Sequence, residues 1–181
     1  RMRTSRLVLL LSCLASGFST TIAESYLWPL DAPPALTSTY AEYRFGRFHA
    51  GLDVKTWGKE GYPCVAVADG YVWRVRTSPW GYGKAIYLKL EDGRTAVYAH
   101  LAAFEERVEK VVSAEQDRRG GYSVNLFLPP GQIPVKRGDV VAFSGSTGSG
   151  YPHLHFEIRD RQQRPMNPLV NGFGVKDTIE P

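Results

Sequence analysis

Short apolar runs separated by turn residues make up most of the chain beyond residue 60. These runs are rich in Val, Ile, Leu, Tyr and Phe, and Gly, Asp or Ser residues bound them. They span residues 65–68, 71–75, 85–90, 95–98, 140–144 and 153–159. Several short strands at close spacing predict an all-β fold, an antiparallel β-sandwich or half-open barrel.

Turn residues connect these runs into predicted hairpins. Asp69-Gly70 lies between the first two runs and has the composition of a type I′ hairpin turn. Residues 91–93, Glu-Asp-Gly, lie in the same way between the third and fourth runs. We therefore expect two β-hairpins here, joined by a turn at residues 80–83.

One segment departs from the strand pattern. Its apolar residues fall at positions 104, 108, 111 and 112, and most positions between them are charged. This spacing predicts an amphipathic helical insertion over residues 104–119, which Gly120-Gly121 ends. We interpret its charges as an ordinary solvated face.

The N-terminus has the organisation of a signal peptide. Three arginines in residues 1–6 precede an apolar run over residues 7–18, and residues 21–23 form a cleavage site. This order predicts cleavage after Ala23 and export to the periplasm, cell envelope or extracellular space. The apolar run is shorter than the about 20 residues that a bilayer span needs, so no stable span is expected after cleavage. A weak lipoprotein-box pattern leaves lipid attachment at Cys13 as a minor alternative.

Removal of that segment changes the charge and the cysteine content. The full chain carries a net charge of +4, whereas the 158 residues after Ala23 carry +1. The charge therefore gives no reason to expect a nucleic-acid partner. Cys64 would be the remaining cysteine, which excludes an internal disulfide and a thiolate-rich zinc site. Because it lies in an apolar run, we expect a buried structural thiol.

All four histidines lie in three short clusters, residues 48–53, 98–101 and 152–157. A lone histidine is more often structural than a ligand. His153 and His155, however, lie two residues apart on a predicted strand and share one face, with Leu154 and Phe156 on the other. Two imidazoles on one sheet face are costly to bury without a purpose, and a metal ion supplies one.

Zinc suits these ligand types. His49, Asp53 and one histidine of the 153/155 pair would supply the three protein ligands that are typical of a catalytic zinc ion. Two histidines would then be free for proton transfer and for stabilising an oxyanion. Since zinc lowers the pKa of a bound water to about 7, these residues indicate metal-assisted hydrolysis of an amide.

The motifs in the three clusters resemble the lysostaphin/LytM-type zinc metallopeptidases, which cut peptidoglycan cross-bridges. His-x-x-x-Asp, Tyr-x-His-Leu and Pro-His-Leu-His-Phe-Glu occur in that family's order, and a Gly-Ser-Thr-Gly loop precedes the last of them. Framework runs at residues 65–70 and 135–139 also match, so the resemblance covers about residues 36–169. It implies an antiparallel β fold with an open groove.

The resemblance also implies a role for each site residue. His49, Asp53 and His155 match the family's Zn²⁺ ligands, and His100 and His153 match its two unligated catalytic histidines. One of these two would accept a proton from water and the other would stabilise the tetrahedral intermediate. The sequence leaves open which residue does which.

Further residues are candidates for supporting roles. Glu157 lies on the same strand face as His155 and either orients that ligand or is an ordinary surface or edge acid. Trp80, Tyr82 and Tyr151 lie in Gly-rich loops and are candidates for lining the groove. Tyr98 shares a predicted strand face with His100, so we expect it to pack beside the site.

The expected organisation follows from these assignments. Residues 102–134 are longer than the family's short form and would form a groove wall or cap the sheet. Because Arg1 precedes Met2 and the tail lacks a capping pattern, we expect a fragment of a longer protein. The expected segments are a signal peptide at 1–23, a leader at 24–35, a LytM-type domain at 36–172 and a tail at 173–181.

The functional prediction is an exported zinc endopeptidase that hydrolyses amide bonds in peptidoglycan stem peptides or cross-bridges. The alternative is a non-catalytic LytM-type domain that binds cell wall or activates an amidase. Such relatives keep the fold but lose metal ligands or catalytic histidines, whereas this chain keeps all five residues.

Overall fold

The structure, a computed structural model, describes residues 26–175. Besides the helix α1 (Glu106–Arg119) and a 3₁₀ turn at Pro168–Val170, these residues form thirteen strands. The strands are β1 (Leu36–Ser38), β2 (Tyr43–Arg44), β3 (Arg47–Phe48), β4 (Leu52–Lys55), β5 (Pro63–Val65), β6 (Gly70–Thr77), β7 (Lys84–Leu90), β8 (Thr95–Phe104), β9 (Val124–Phe127), β10 (Pro134–Val135), β11 (Val140–Ser144), β12 (His153–Arg159) and β13 (Pro165–Met166).

Eleven of the strands form one antiparallel sheet. Its main path runs β1-β4-β12-β8-β7-β6-β10; β9 pairs with β6, β13 pairs with β12, and β11 pairs with both β5 and β8. Strands β2 and β3 form a separate hairpin just before the first histidine cluster. The predicted all-β antiparallel fold is confirmed.

The period-2 alternation of the strands separates two faces of the sheet. Leu154, Phe156 and Ile158 on β12 are fully buried in the main core. A smaller apolar cluster covers the opposite face and consists of Ala85, Tyr87, Val97 and Ala99, with Trp73 and Tyr82 packed against it. The histidines of β12 lie on this second face, as the sequence predicts.

The helical insertion packs against the main core. Val108 and Val112 are buried there, and Gly120 ends the helix in the left-handed conformation with a φ of 63°. The helix begins at Glu106, two residues later than predicted, because β8 extends to Phe104. After the helix, β9 pairs with β6 and widens the sheet by one strand.

One predicted hairpin is wrong. β5 pairs with β11 and β6 pairs with β7, so Asp69-Gly70 does not connect paired strands. The glycine is needed for a different reason: a Cβ atom there would lie 2.2 Å from the carbonyl oxygen of Lys89. The second predicted hairpin, β7–β8, is confirmed.

Cys64 is a free and fully buried thiol, as predicted, and burial raises its pKa. Within residues 26–175 no helix is long and apolar enough to cross a membrane. The predicted signal peptide, Cys13 and the last six residues of the tail lie outside the described residues.

Candidate metal centre

Three buried side chains meet where β4 and β12 pair. Asp53 on β4 lies opposite His155 on β12, and His49 lies in the turn before β4. The Nε2 atom of His49, the Oδ1 atom of Asp53 and the Nδ1 atom of His155 lie 3.0 Å from one another. These three residues are at most 5% exposed and form a group able to hold a metal ion.

This donor set fits zinc. Bonds of about 2.0–2.1 Å to a tetrahedral zinc ion place its ligand atoms about 3.3 Å apart, close to the separations seen here. The second nitrogen of each imidazole is also hydrogen-bonded, which is usual for metal-binding histidines. For His49 the partner is the Thr39 carbonyl at 2.7 Å, and for His155 it is the Glu157 Oε1 atom at 2.9 Å.

Glu157 is fully buried behind His155. Its carboxylate also accepts hydrogen bonds from the Tyr82 hydroxyl and, at 2.6 Å, from the Arg159 Nε atom. Burial disfavours the charged form of Glu157, but the hydrogen bonds with His155 and Arg159 outweigh it and lower the pKa of this carboxyl. The interpretation of Glu157 as a surface or edge acid is therefore wrong.

Arg44 holds the second oxygen of Asp53. Its guanidinium donates to Asp53 Oδ2 and, at 2.9 Å, to the Ser38 hydroxyl. Burial disfavours the Asp53 carboxylate, yet hydrogen bonds with His155, His49 and Arg44 keep its pKa below the ordinary value. Sequence reasoning missed Arg44, because it lies outside the clusters and reaches Asp53 only through the β2–β3 hairpin.

His100 and His153 complete a cluster of five. Their ring centroids are 4.7 Å apart, and His153 Nε2 lies 3.6 Å from Asp53 Oδ1. Each Nδ1 lies 2.9 Å from a backbone carbonyl, that of Thr147 for His100 and that of Tyr151 for His153. Since a carbonyl only accepts, the neutral rings carry their proton on Nδ1 and leave Nε2 free. Burial, opposed by the Thr147 bond, lowers the pKa of His100 to about 4.

The backbone at His100 turns its side chain toward the site. Its φ is +60°, a left-handed conformation that is uncommon for residues other than glycine. Tyr98 therefore does not share a face with His100 but lies fully buried in the main core. Its hydroxyl donates to the Val65 carbonyl at 2.8 Å. The prediction that Tyr98 packs beside the site is wrong, because it assumed unbroken alternation along β8.

The loops before β7 and β12 flank the cluster. Trp80 and Tyr151 in these loops are 79% and 82% exposed. Tyr82 is half-buried, and its ring centroid lies 5.2 Å from that of His155. These three aromatic side chains lie where they could line a groove, and their contact with a substrate stays a prediction.

A surface recess of about 940 Å³ lies away from this cluster. It is lined by Tyr26, Asp92 and Arg161, among others, and by none of the five site residues. The Tyr26 hydroxyl bonds to Asp92, and Arg161 donates to the Asp92 carbonyl at 3.0 Å. These three lining residues thus bond to one another, and none of them contacts the histidines.

The fold agrees with the sequence family that the chain matches. The sequence model of "Peptidase family M23" matches residues 47–117. This chain therefore contains an M23 domain, and the predicted resemblance to lysostaphin/LytM-type peptidases is confirmed.

Two curated relatives differ in their named roles. The chain is 35% identical over 124 residues to the DD-carboxypeptidase/endopeptidase Mpg of Neisseria meningitidis, which covers 68% of this chain and 22% of Mpg. It is 30% identical over 156 residues to the murein hydrolase activator NlpD of Salmonella typhimurium, and this match covers 86% of this chain and 33% of NlpD. The chain thus spans one third or less of the length of these relatives.

Solved structures share the fold. A zinc-containing peptidase from Vibrio cholerae is 28% identical with a TM-score of 0.56, covering 79% of this chain and 39% of that one. A mutant catalytic domain of the M23 protein EnpA from Enterococcus faecalis is 26% identical with a TM-score of 0.55, covering 80% and 94%. The catalytic domain of lysostaphin from Staphylococcus simulans is 24% identical with a TM-score of 0.55, and the match covers 76% of this chain and 91% of that one. At this identity the match is evidence for a shared fold only.

Proposed function

We propose that this protein is an exported, zinc-dependent endopeptidase that hydrolyses amide bonds in peptidoglycan stem peptides or cross-bridges, with residues 36–172 as its catalytic unit. The observation that carries the proposal is the meeting of a His₂Asp donor set with two further histidines in one cluster. The names of Mpg, an endopeptidase, and of the zinc-containing Vibrio cholerae peptidase support this chemistry.

In this proposal the ligand atoms are His49 Nε2, Asp53 Oδ1 and His155 Nδ1. A zinc ion held by these three atoms would act as a Lewis acid, polarising the scissile carbonyl and lowering the pKa of a water molecule. Arg44 occupies Oδ2 of Asp53, so this carboxylate offers a single oxygen. Glu157 fixes the ring of His155, so its Nδ1 atom faces the other two ligands.

His153 is the proposed general base. The Tyr151 carbonyl keeps its proton on Nδ1, and its free Nε2 lies next to the ligand Asp53. Nε2 accepts a proton from the attacking water and returns it to the amine nitrogen as the amide C–N bond breaks. The low pKa of His100 keeps its ring neutral near pH 7. In this neutral state the unprotonated Nε2 atom of His100 accepts a hydrogen bond from the water and so orients it.

The test combines metal analysis with digestion of purified peptidoglycan. We expect about one zinc ion per chain and loss of cleavage on chelation, restored when zinc is returned. His153→Ala should abolish cleavage and retain zinc, whereas Asp53→Ala should lose both. A folded protein that binds no zinc and cuts no wall peptide contradicts the proposal, and cleavage that survives Asp53→Ala contradicts the ligand assignment.

The similarity to NlpD favours a second candidate, an activator of another hydrolase. An activator needs no metal and no proton acceptor, so the retained five-residue cluster argues for the peptidase. The discriminating result would be stimulation of a separate hydrolase by both the native protein and the Asp53→Ala variant, with no cleavage by either alone.

Export rests on the pattern of residues 1–23. Export suits a protein whose substrate lies outside the cytoplasmic membrane. A further relative, from Pseudomonas aeruginosa, is named a lipoprotein. N-terminal sequencing of the mature protein should begin at Glu24. A mature N-terminus at Cys13 carrying lipid would instead support the minor alternative.

A further inference from the structure

The sheet face that carries the histidines continues well past them. From β12 it passes over β8 and β7 to β6 and β9, and the cluster of Ala85 and Ala99 lies along it. In the register, His155 is opposite Ala99, and Ala85 is opposite Arg76. Three strand spacings of about 4.8 Å therefore place Arg76 about 14 Å from the metal ligand on the same face.

A second recess opens at this far end, where the insertion joins the sheet. It has a volume of about 450 Å³, and no acidic residue is among the described residues that line it. We call it the arginine recess. Its polar lining comprises Arg74, Arg76, Arg119, Ser78, Ser123 and Asn125, among others.

Arg76 is the unusual member of this lining. Arg159, a half-buried arginine of β12 on the same sheet face, is paired with Glu157. Arg76 is also half-buried, yet its side chain has no hydrogen bond or ion pair with any residue that the structure describes. A guanidinium that is partly removed from water and unpaired favours an anion from outside the chain.

The neighbours of Arg76 preserve this positive charge. Arg74 donates through Nε to the neutral Asn125 at 2.8 Å, and its guanidinium lies 4.8 Å from the centre of the Tyr87 ring. Arg119 is paired with Glu115, which lies on the helix outside the lining. The recess thus presents Arg74 and Arg76 without an acidic partner.

The Tyr82 ring borders the metal centre on the side of the small apolar cluster. It packs on the cluster of small apolar residues and stands 5.2 Å from His155. About four residues of extended peptide cover 14 Å at 3.3 Å each. A peptide held at the metal centre and crossing Tyr82 can therefore place a side-chain or terminal carboxylate in the arginine recess.

We propose that the arginine recess binds a carboxylate of the wall peptide, so that this protein prefers acidic stem peptides over neutral glycine bridges. This inference rests on the proposed peptidase function and assigns the insertion a role in substrate choice. The insertion supplies Arg119, Ser123 and Asn125, whereas Arg74 and Arg76 come from the sheet.

The test measures peptide binding by isothermal titration calorimetry in a His153→Ala background, so that no probe is cut. The probes are a synthetic cross-linked stem peptide with free glutamate and diaminopimelate carboxylates, the same peptide with those carboxylates amidated, and pentaglycine. We expect the acidic probe to bind at least about threefold more tightly than its amidated form, a difference typical of one solvent-accessible ion pair.

Arg76→Gln should remove this preference and leave binding of the amidated probe unchanged. Ser123→Asp, which keeps Arg76 and places a negative charge at the exposed rim, should weaken the acidic probe in the same selective way. Lys110→Gln is the matched control, because Lys110 is an exposed cation of the same insertion outside the recess.

Two outcomes overturn the inference: equal binding of acidic and amidated probes by the His153→Ala protein, or a preference that survives when Arg76→Gln or Ser123→Asp is added to it. Its failure is distinguishable from failure of the proposed function. If the native protein cuts wall peptides without regard to their carboxylates, only the proposal about the arginine recess fails. If the His153→Ala protein prefers the acidic probe but the native protein cuts no wall peptide, only the proposed peptidase function fails.

Discussion

The two ends of one sheet face differ in whether their charged side chains have partners of opposite charge. At the metal centre, the buried carboxylates of Asp53 and Glu157 each have an arginine and at least one histidine as partners. At the far end, Arg76 has no such partner within the described residues. Full pairing holds the candidate ligand atoms in one arrangement, whereas an unpaired cation is available to an anion that binds reversibly.

The largest expected effect comes from removing a charge at the metal centre, where the charged side chains are paired. Glu157→Gln keeps the shape of the side chain but removes the charge that holds His155 and Arg159. We expect zinc affinity to fall about 10- to 100-fold, as is typical when a residue that supports a metal-binding histidine is changed. Competition with a chelating dye measures this directly.

Glu115→Gln is the matched control for that change. Glu115 also pairs with arginines, but it lies on α1, away from the ligands. Its removal should leave zinc affinity within error of the native protein. Equal losses in the two variants would show that Glu157 acts through general stability and not through His155.

The next prediction tests whether the insertion stabilises the sheet without shaping the metal centre. Val112→Ala removes two methyl groups from a fully packed position on α1. We expect the free energy of unfolding to fall by about 1.5 kcal/mol and zinc affinity to stay unchanged. Urea denaturation and chelator competition measure the two quantities. A large loss of zinc affinity would show that the two ends of the sheet are coupled.

The smallest expected effect concerns the end of the same helix. Gly120 has a φ of +63°, so Gly120→Ala should cost about 1 kcal/mol of stability through backbone strain. The neighbouring Gly121 has open space around its Cα and no positive φ, which makes Gly121→Ala the natural control. Equal thermal shifts in the two variants would argue against a left-handed cap.

Much of the fold was predictable because local patterns encode it. The strands at residues 140–144 and 153–159 match β11 and β12 in full, and the helix differs by two residues at its start. The hairpin at Asp69-Gly70 was not predictable. A type I′ composition signals a local turn, whereas the choice of strand partners depends on distant residues.

The candidate site divides in a similar way. All five predicted residues lie in one cluster, and the spacing of His153 and His155 already placed both on one face. The roles of Arg44 and Glu157 depend on contacts across the sheet. Tyr98 was misplaced because the positive φ of His100 interrupts the alternation of β8.

Short-range pattern therefore determined the strand periods and the helix, since each depends on neighbours a few residues away, and the resemblance to a known family singled out the five site residues. Only the tertiary structure decided which strands pair, which oxygen of Asp53 stays free and which arginine lacks a partner. These properties depend on atoms that are brought together across the sheet, and no local spacing in the chain encodes that distance or that burial.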